Sequence, residues 1–416
     1  MGVCTTDDQQ HRQKISIKQP KEEFKLNESE YSRLYNKQKT ENNKYNNNKI
    51  IEISLNSKKT IIKTIGQIKG ESILIKNNLN CIILIMDYSN SINIQNCQNC
   101  SIFLAPCETS INVQDCNNLN LISASLDIMI TNVKNSNFYL FVSNSPFIES
   151  SENITLGNFF AQYMELPEMF VSSKLNIWDN KWSNYKESGK NIDIKYSNDN
   201  IKQSVIDIFI PIFPNCYINI DQFQFVPFVY GKSIKAENYV NFLIILRQED
   251  FQEGEILKML LPEEIENYRV KLISTLTVKE NSDIIKNLIK KLDTNIENKY
   301  LINYILRKEN EGFDSLKNSQ IKNINQNPSV NSINKSRLNE QDLSTNEFAN
   351  NNFKFLKKKD YLFLWFINED NDFIDIDEYF NSFFEPLYIG KILKEHFNCD
   401  EIAFKKSLEQ IFGLEK

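Results

Sequence analysis

The sequence predicts a mainly β protein with an α/β part: a right-handed parallel β-helix followed by a smaller α+β domain. Three observations carry this. The stretch Glu71–Gly157 repeats itself, the repeats alternate apolar and polar residues, and beyond them apolar strand patterns alternate with helical ones.

The chain opens with a polar, Asn/Lys-rich segment up to about Asn48, which reads as a flexible arm. Its first residues, Met1–Gly2–Val3–Cys4–Thr5–Thr6, fit the M-G-x-x-x-[ST] pattern for myristoylation at Gly2. Cys4 stands where a palmitoyl chain can be added. One myristoyl chain gives a membrane affinity of only about 10⁴ M⁻¹, so two lipid signals are expected. Ile50–Ile75 reads as short strands, the first coils of the β-helix.

The repeat is explicit. Asn80–Cys81–Ile82–Ile83–Leu84–Ile85 returns as Asn99–Cys100–Ser101–Ile102–Phe103–Leu104, and Ser91–Cys97 returns as Ser110–Cys116 at the same offset. Leu119–Ile122 starts a third copy and Phe138–Phe141 a fourth, with slightly shorter spacing. Each unit is a coil that buries its apolar face only when stacked on its neighbours. The alternation in Ser91–Asn96 and Ser110–Asp115 marks strands with one buried face. Asn and Asp tolerate left-handed backbone angles at the corners, and Cys fills the inside of the corner.

Trp178–Lys186 is expected to cover the far end of the β-helix, which spans 49–187. A polar linker, 188–235, follows. The domain 236–416 holds strand candidates at Val240–Leu246, Val270–Val278 and Tyr361–Ile367. Between them lie helical spacing over Glu249–Tyr268 and an amphipathic helix at Ser282–Leu292. Roughly Glu309–Asn352 is Asn/Ser/Lys-rich without periodicity, a disordered insertion.

Composition narrows the function. A net charge of −6 and a pI near 5.4 argue against a nucleic-acid partner. The longest apolar runs fall far short of the roughly 20 residues that span a bilayer. An acylated chain stays in the reducing cytosol, so its eight cysteines are expected as thiols. Cys97–Gln98–Asn99–Cys100 has the spacing of a zinc pair. No second pair stands at a ligand spacing and each Cys belongs to the repeat register, so no metal and no cofactor is expected. Gly231–Lys232–Ser233 lacks the first glycine of a phosphate loop, because Val226 holds that place. The only histidines, His11 and His396, stand in the arm and in a helical pattern beside Cys399 and Asp400. Neither is placed as a phosphotransfer nucleophile.

The Asn–Cys repeats, Phe147–Ile148–Glu149–Ser150–Ser151–Glu152–Asn153–Ile154 and Ile177–Trp178–Asp179–Asn180–Lys181–Trp182–Ser183–Asn184 together resemble the β-helix of the tubulin-folding cofactor C family. The resemblance covers roughly Ile61–Asn184, under half of the chain. In one member of that family the C-terminal domain is ferredoxin-like and similar to nucleoside diphosphate kinase. Here that second likeness is one of layout.

The resemblance implies a membrane-associated regulator of an ADP-ribosylation-factor-like small GTPase in its GTP form. It also implies a place on the cytoplasmic face of a plasma or ciliary membrane. Members of the family insert an arginine, from a Gln-Gln-hydrophobic-Arg motif, into the partner's active site. Such a finger is worth about 10³–10⁵ in rate. Counting back from Glu149 puts Leu126–Asp127–Ile128–Met129 at the motif, so Met129 holds the finger position and Asp127 its polar neighbour. No arginine occurs between Arg33 and Arg247. Lys134, the nearest cation downstream, lacks the planar fork. The expected partner face is Leu126, Asp127, Met129, Thr131 and Glu149, with GTPase activation weak or absent. Two other readings stay open: an activator using another cation, and a cytoskeletal or ciliary scaffold without a GTPase partner.

Overall fold

The computed structural model describes residues 49–163, 165–189, 193–197, 225–234, 240–248, 253–260, 270–291, 355–357, 360–368, 390–392 and 401–414. The arm with Gly2, Cys4 and His11, the segment 309–352 and His396 lie outside them.

The repeats form stacked coils of a parallel β-helix. Its strands are β1 (Ile50–Ser54), β2 (Thr60–Lys63), β3 (Ser72–Lys76), β4 (Ile82–Ile85), β5 (Ile92–Gln95), β6 (Gln98–Gln114), β7 (Asn117–Thr131), β8 (Lys134–Val142), β9 (Phe147–Glu149), β10 (Glu152–Asn158), β11 (Lys186–Ser188) and β12 (Ile194–Tyr196). Two parallel ladders run along it. One joins β1, β3, β5, the second halves of β6 and β7, β9 and β11. The other joins β2, β4, the first halves of β6 and β7, β8, β10 and β12. The coil offset is 19 residues at Asn80–Asn99 and Asn93–Asn112, 17 at Asn120–Asn137 and 18 at Asn135–Asn153.

One corner of each of five successive coils is built by two residues with positive φ, three apart. The pairs are Asn77/Asn80, Asn96/Asn99, Asp115/Asn118, Asn132/Asn135 and Ser150/Asn153, all with φ between 48° and 56°. Asn and Asp enter this left-handed region at low cost, so the Asn periodicity is a periodicity of backbone shape. Between each pair one side chain points inward, giving the column Asn78, Cys97, Cys116, Val133 and Ser151, all buried. Cys81, just before β4, and Cys100, the third residue of β6, are likewise buried and unbridged. Asn80, Asn99 and Asn118 bond amide to amide along the outside at 2.9–3.0 Å.

The β-helix runs past the expected end at 187. Ile194–Tyr196 pairs in parallel with Ile154–Leu156, and Tyr196 packs edge-on against Trp182 at 5.8 Å. A strand of three residues carries too little pattern to stand out from a polar segment.

Helix α1 (Leu166–Ser172) lies between β10 and β11; after β12 come strand β13 (Val240–Arg247), helix α2 (Glu253–Met259), strand β14 (Val270–Lys279), helix α3 (Asp283–Lys291), strands β15 (Asp360–Asn368) and β16 (Gly390–Ile392), and helix α4 (Glu401–Phe412). The last four strands form an antiparallel sheet in the order β14–β15–β13–β16. β13 and β14 are therefore parallel to each other, with α2 between them in sequence and β15 inserted between them in space, a split βαβ arrangement. One face of this sheet (Phe242, Ile244, Leu272, Leu364) shares an apolar core with Phe159, Phe170 and Trp178 of the β-helix side. The other face (Leu243, Ile273, Phe363, Trp365) buries Leu288 of α3 and Leu408 and Phe412 of α4. The described residues from Lys49 onward belong to one compact unit.

The joint is polar as well as apolar. Trp178 Nε1 donates to Glu253 Oε2 at 2.8 Å, and the other Glu253 oxygen accepts from the backbone of Phe355 and Leu356 at 3.0 Å. Edge strand β14 is covered by the Trp178–Asp179 loop: Thr277 N–H donates to Asp179 Oδ1 at 2.9 Å, and Thr275 Oγ1 to the Trp178 carbonyl at 2.6 Å. These bonds occupy an edge that would otherwise template strand addition. Gly231 sits in a 3₁₀ turn against Ser183, whose Oγ occupies the space a Cβ would take. Close packing on the Trp-Ser-Asn segment, and not a phosphate loop, explains that glycine.

Candidate functional site

The five residues expected to meet a partner lie on one outward face. Along β7, Ile128 and Ile130 point into the core, while Asp127, Met129 and Thr131 alternate with them and are half-buried. Leu126, 37% exposed, stands at the bend before them. Glu149 comes from the next coil, directly paired with Thr131. It is therefore diagonal to Met129 and not beside it.

Stacking sets the neighbours of each position. The Met129 column reads Leu74, Asn93, Asn112, Met129, Phe147 and Lys186. The Thr131 column reads Lys76, Gln95, Gln114, Thr131, Glu149 and Ser188. Asn112 donates to Asn93 Oδ1 at 3.0 Å, and this amide ladder stops at Met129, which has no donor. The Thr131 hydroxyl is shielded from solvent and makes no hydrogen bond. Asp127 accepts from Asn144 Nδ2 at 2.9 Å.

Sequence reasoning missed Phe147, Asn144 and Lys186. Each belongs to a neighbouring coil, so it becomes visible only once the register is known. Lys134, the cation noted from the sequence, is engaged elsewhere: its Nζ lies 2.8 Å from Glu152 Oε2. Lys186 is exposed and stands two coils from Met129, about 10 Å away at the usual 4.7–4.9 Å spacing.

The cysteines form a different kind of cluster. Cys116 Sγ lies 3.5 Å from the backbone nitrogen of Cys97. Hydrogen bonding from Cys100, then from Cys116, holds the Cys97 thiol well below the usual range, and the same bonds push Cys100 and Cys116 up. Burial pushes Cys107 up to about 12. With relative exposures of 0–2%, these sulfurs have no access to a substrate, so they fill corners and do no thiol chemistry. Among the described residues no group of three or more His, Cys, Asp or Glu is placed to hold a metal ion.

Residues 70–187 match the family model for Tubulin binding cofactor C. The match begins at the second coil, ends in β11 and contains the whole Met129 face. The chain is also 46% identical over 125 residues to Protein XRP2 of Homo sapiens, covering 30% of this chain and 36% of that protein. It is 42% identical over 125 residues to Protein XRP2 of Danio rerio, covering 30% of this chain and 33% of that protein. The chain thus aligns with about a third of the length of these curated relatives. The cofactor C likeness read from the sequence holds for this region, which is most of the β-helix.

Proposed function

We propose that the chain is a membrane-anchored adaptor that binds an ADP-ribosylation-factor-like small GTPase in its GTP form and accelerates hydrolysis weakly or not at all. The β-helix match supports the partner class. The observation that carries the catalytic half is Met129. It occupies the finger position on an outward strand face whose neighbours are Asn112, Phe147 and Asp127, with no arginine anywhere between Arg33 and Arg247. A thioether carries neither charge nor donor, so it cannot neutralise a transferring phosphoryl group. Asp127 adds negative charge where the phosphates call for positive charge. Phe147, Met129 and Leu126 leave an apolar strip bordered by amides, a surface suited to binding.

No helix among the described residues is long and apolar enough to cross a membrane. The anchor in this reading is Gly2 with Cys4, on the cytoplasmic face of a plasma or ciliary membrane. The C-terminal sheet, nucleoside diphosphate kinase-like in strand layout, serves as a scaffold that closes the end of the β-helix.

One observation favours a second reading. Lys186 shares the Met129 column, so a partner reaching across Phe147 meets a cation. A GTPase activator working through Lys186 loses its activity in Lys186→Ala, whereas an adaptor keeps its binding. The adaptor reading is tested by pull-down with GTP- and GDP-loaded GTPase. Retention of the GTP form alone supports it, and equal retention, or none, rejects it.

A further inference from the structure

We propose that the first coil, Ile50–Gly70, docks end-on against an anionic lipid surface at headgroup depth. The proposal deepens the membrane reading above and rests on it only in naming a membrane as the partner.

Four of the seven exposed large apolar residues of the described chain lie in this coil: Ile50 (63% exposed), Leu55 (79%), Ile62 (44%) and Ile65 (41%). Among the described residues, the coil is the terminal one of the solenoid. β1 pairs only with β3 and β2 only with β4, so Ile51 and Ile61, which point inward, remain half-exposed. Its charge runs against that of the chain. Within Ile50–Gly70, Lys58, Lys59, Lys63 and Lys69 stand with a single acid, Glu52, in a protein of net charge −6. Glu52 is already bonded to Lys76 of the next coil, at 3.2 Å. None of the four lysines makes a salt bridge among the described residues.

The corner supplies an independent observation. The five inner corners place Asn, Asp or Ser at both positive-φ positions. The first coil places Leu55 (φ 56°) and Lys58 (φ 52°) there instead. An L-residue without a short polar side chain is strained in that region, and such strain persists where function uses it. Here it holds one large apolar and one basic side chain outward at the end of the solenoid.

That combination matches an anionic interface. Apolar side chains enter the headgroup–acyl boundary while lysines meet lipid phosphates and carboxylates. The outer N–H and C=O groups of β1 and β2, which pair with no other described strand, limit the depth, because hydrocarbon leaves them unpaired and the headgroup layer does not.

The test uses the full chain produced without acylation, sedimented with vesicles of phosphatidylcholine alone or with phosphatidylserine. The protein is expected to bind the serine-containing vesicles and to be released by salt. Reversing Lys58 and Lys59 (Lys58→Glu, Lys59→Glu) should weaken binding at least about tenfold, since each basic residue near such a surface is worth about fivefold. Leu55→Asn converts the corner to the inner-coil type. It should weaken binding severalfold while raising the melting temperature, so lost binding cannot be ascribed to unfolding. Absence of binding to the serine-containing vesicles, or equal binding by these variants, overturns the proposal. So does a wild-type dimer, seen by light scattering, that Leu55→Asn dissociates, since the coil would then be a self-pairing edge. No acyl chain and no GTPase is present, so failure here leaves those readings intact, and their failure leaves this result intact.

Discussion

Asn144 holds Asp127 across neighbouring coils: its side-chain amide donates to Oδ1 at 2.9 Å and its backbone N–H to the Leu126 carbonyl at 2.9 Å. The carboxylate beside the finger position is therefore fixed in place. Asn144→Ala removes one exposed hydrogen bond and should cost no more than about 1 kcal/mol in urea unfolding. Because Asp127 then samples other rotamers, GTPase affinity measured by titration should change severalfold. Unchanged affinity with unchanged stability would remove Asp127 from the binding face.

The inward corner column predicts a graded series. Val133 occupies the position that Cys97 and Cys116 hold in the coils before it, so Cys116→Val should cost less than about 1.5 kcal/mol. Cys100→Asp buries a charge with no counter-ion and should cost several kcal/mol or prevent folding, with Cys100→Ser between them. Urea midpoints rank the three. A Cys100→Asp protein as stable as the wild type contradicts the packing described.

Asp179 gives the joint between the β-helix and the C-terminal sheet a pH dependence. Burial, the largest cause, raises its pKa above the ordinary 3.8 against the lowering effect of the Thr277 hydrogen bonds. The folded state then binds a proton that the unfolded state has released. Stability from this group is greatest at low pH and falls as pH rises from 3.8 through the folded value. Asp179→Asn keeps an acceptor for Thr277 N–H and removes the titration. The difference in unfolding midpoint between wild type and Asp179→Asn should therefore shift in favour of the variant as pH rises across that window. A shift the other way contradicts the burial assigned to Asp179.

The anchor is tested by fractionation. Gly2→Ala should move nearly all of the protein to the soluble fraction and Cys4→Ser much of it, since one acyl chain holds only marginally. Unchanged membrane association of Gly2→Ala rejects the acyl anchor.

The coils were legible because their signal is local. Left-handed corners select Asn and Asp, and inward positions select Ile, Leu and Cys, so the repeat is written once per coil. β13, β14, α3 and β15 were legible for the same reason, each being a long run of one period. The surroundings of Met129 were not, because Asn112, Asn144, Phe147 and Lys186 reach it through pairing between coils. The coil offset changes from 19 to 17 and 18 residues across the site. β12 was lost in a polar segment, and the Trp178–Glu253 bond joins residues 75 apart that no pattern connects.

The most direct test is a single-turnover GTPase assay with a cognate ADP-ribosylation-factor-like protein. It compares wild type with Met129→Arg combined with Asp127→Gln. A missing finger worth about 10³–10⁵ in rate corresponds to roughly 4–7 kcal/mol of transition-state stabilisation. The account predicts little acceleration by the wild type and a measurable gain by the double variant, because the β7 face already points outward at that position. Acceleration of many hundredfold by the wild type would contradict it.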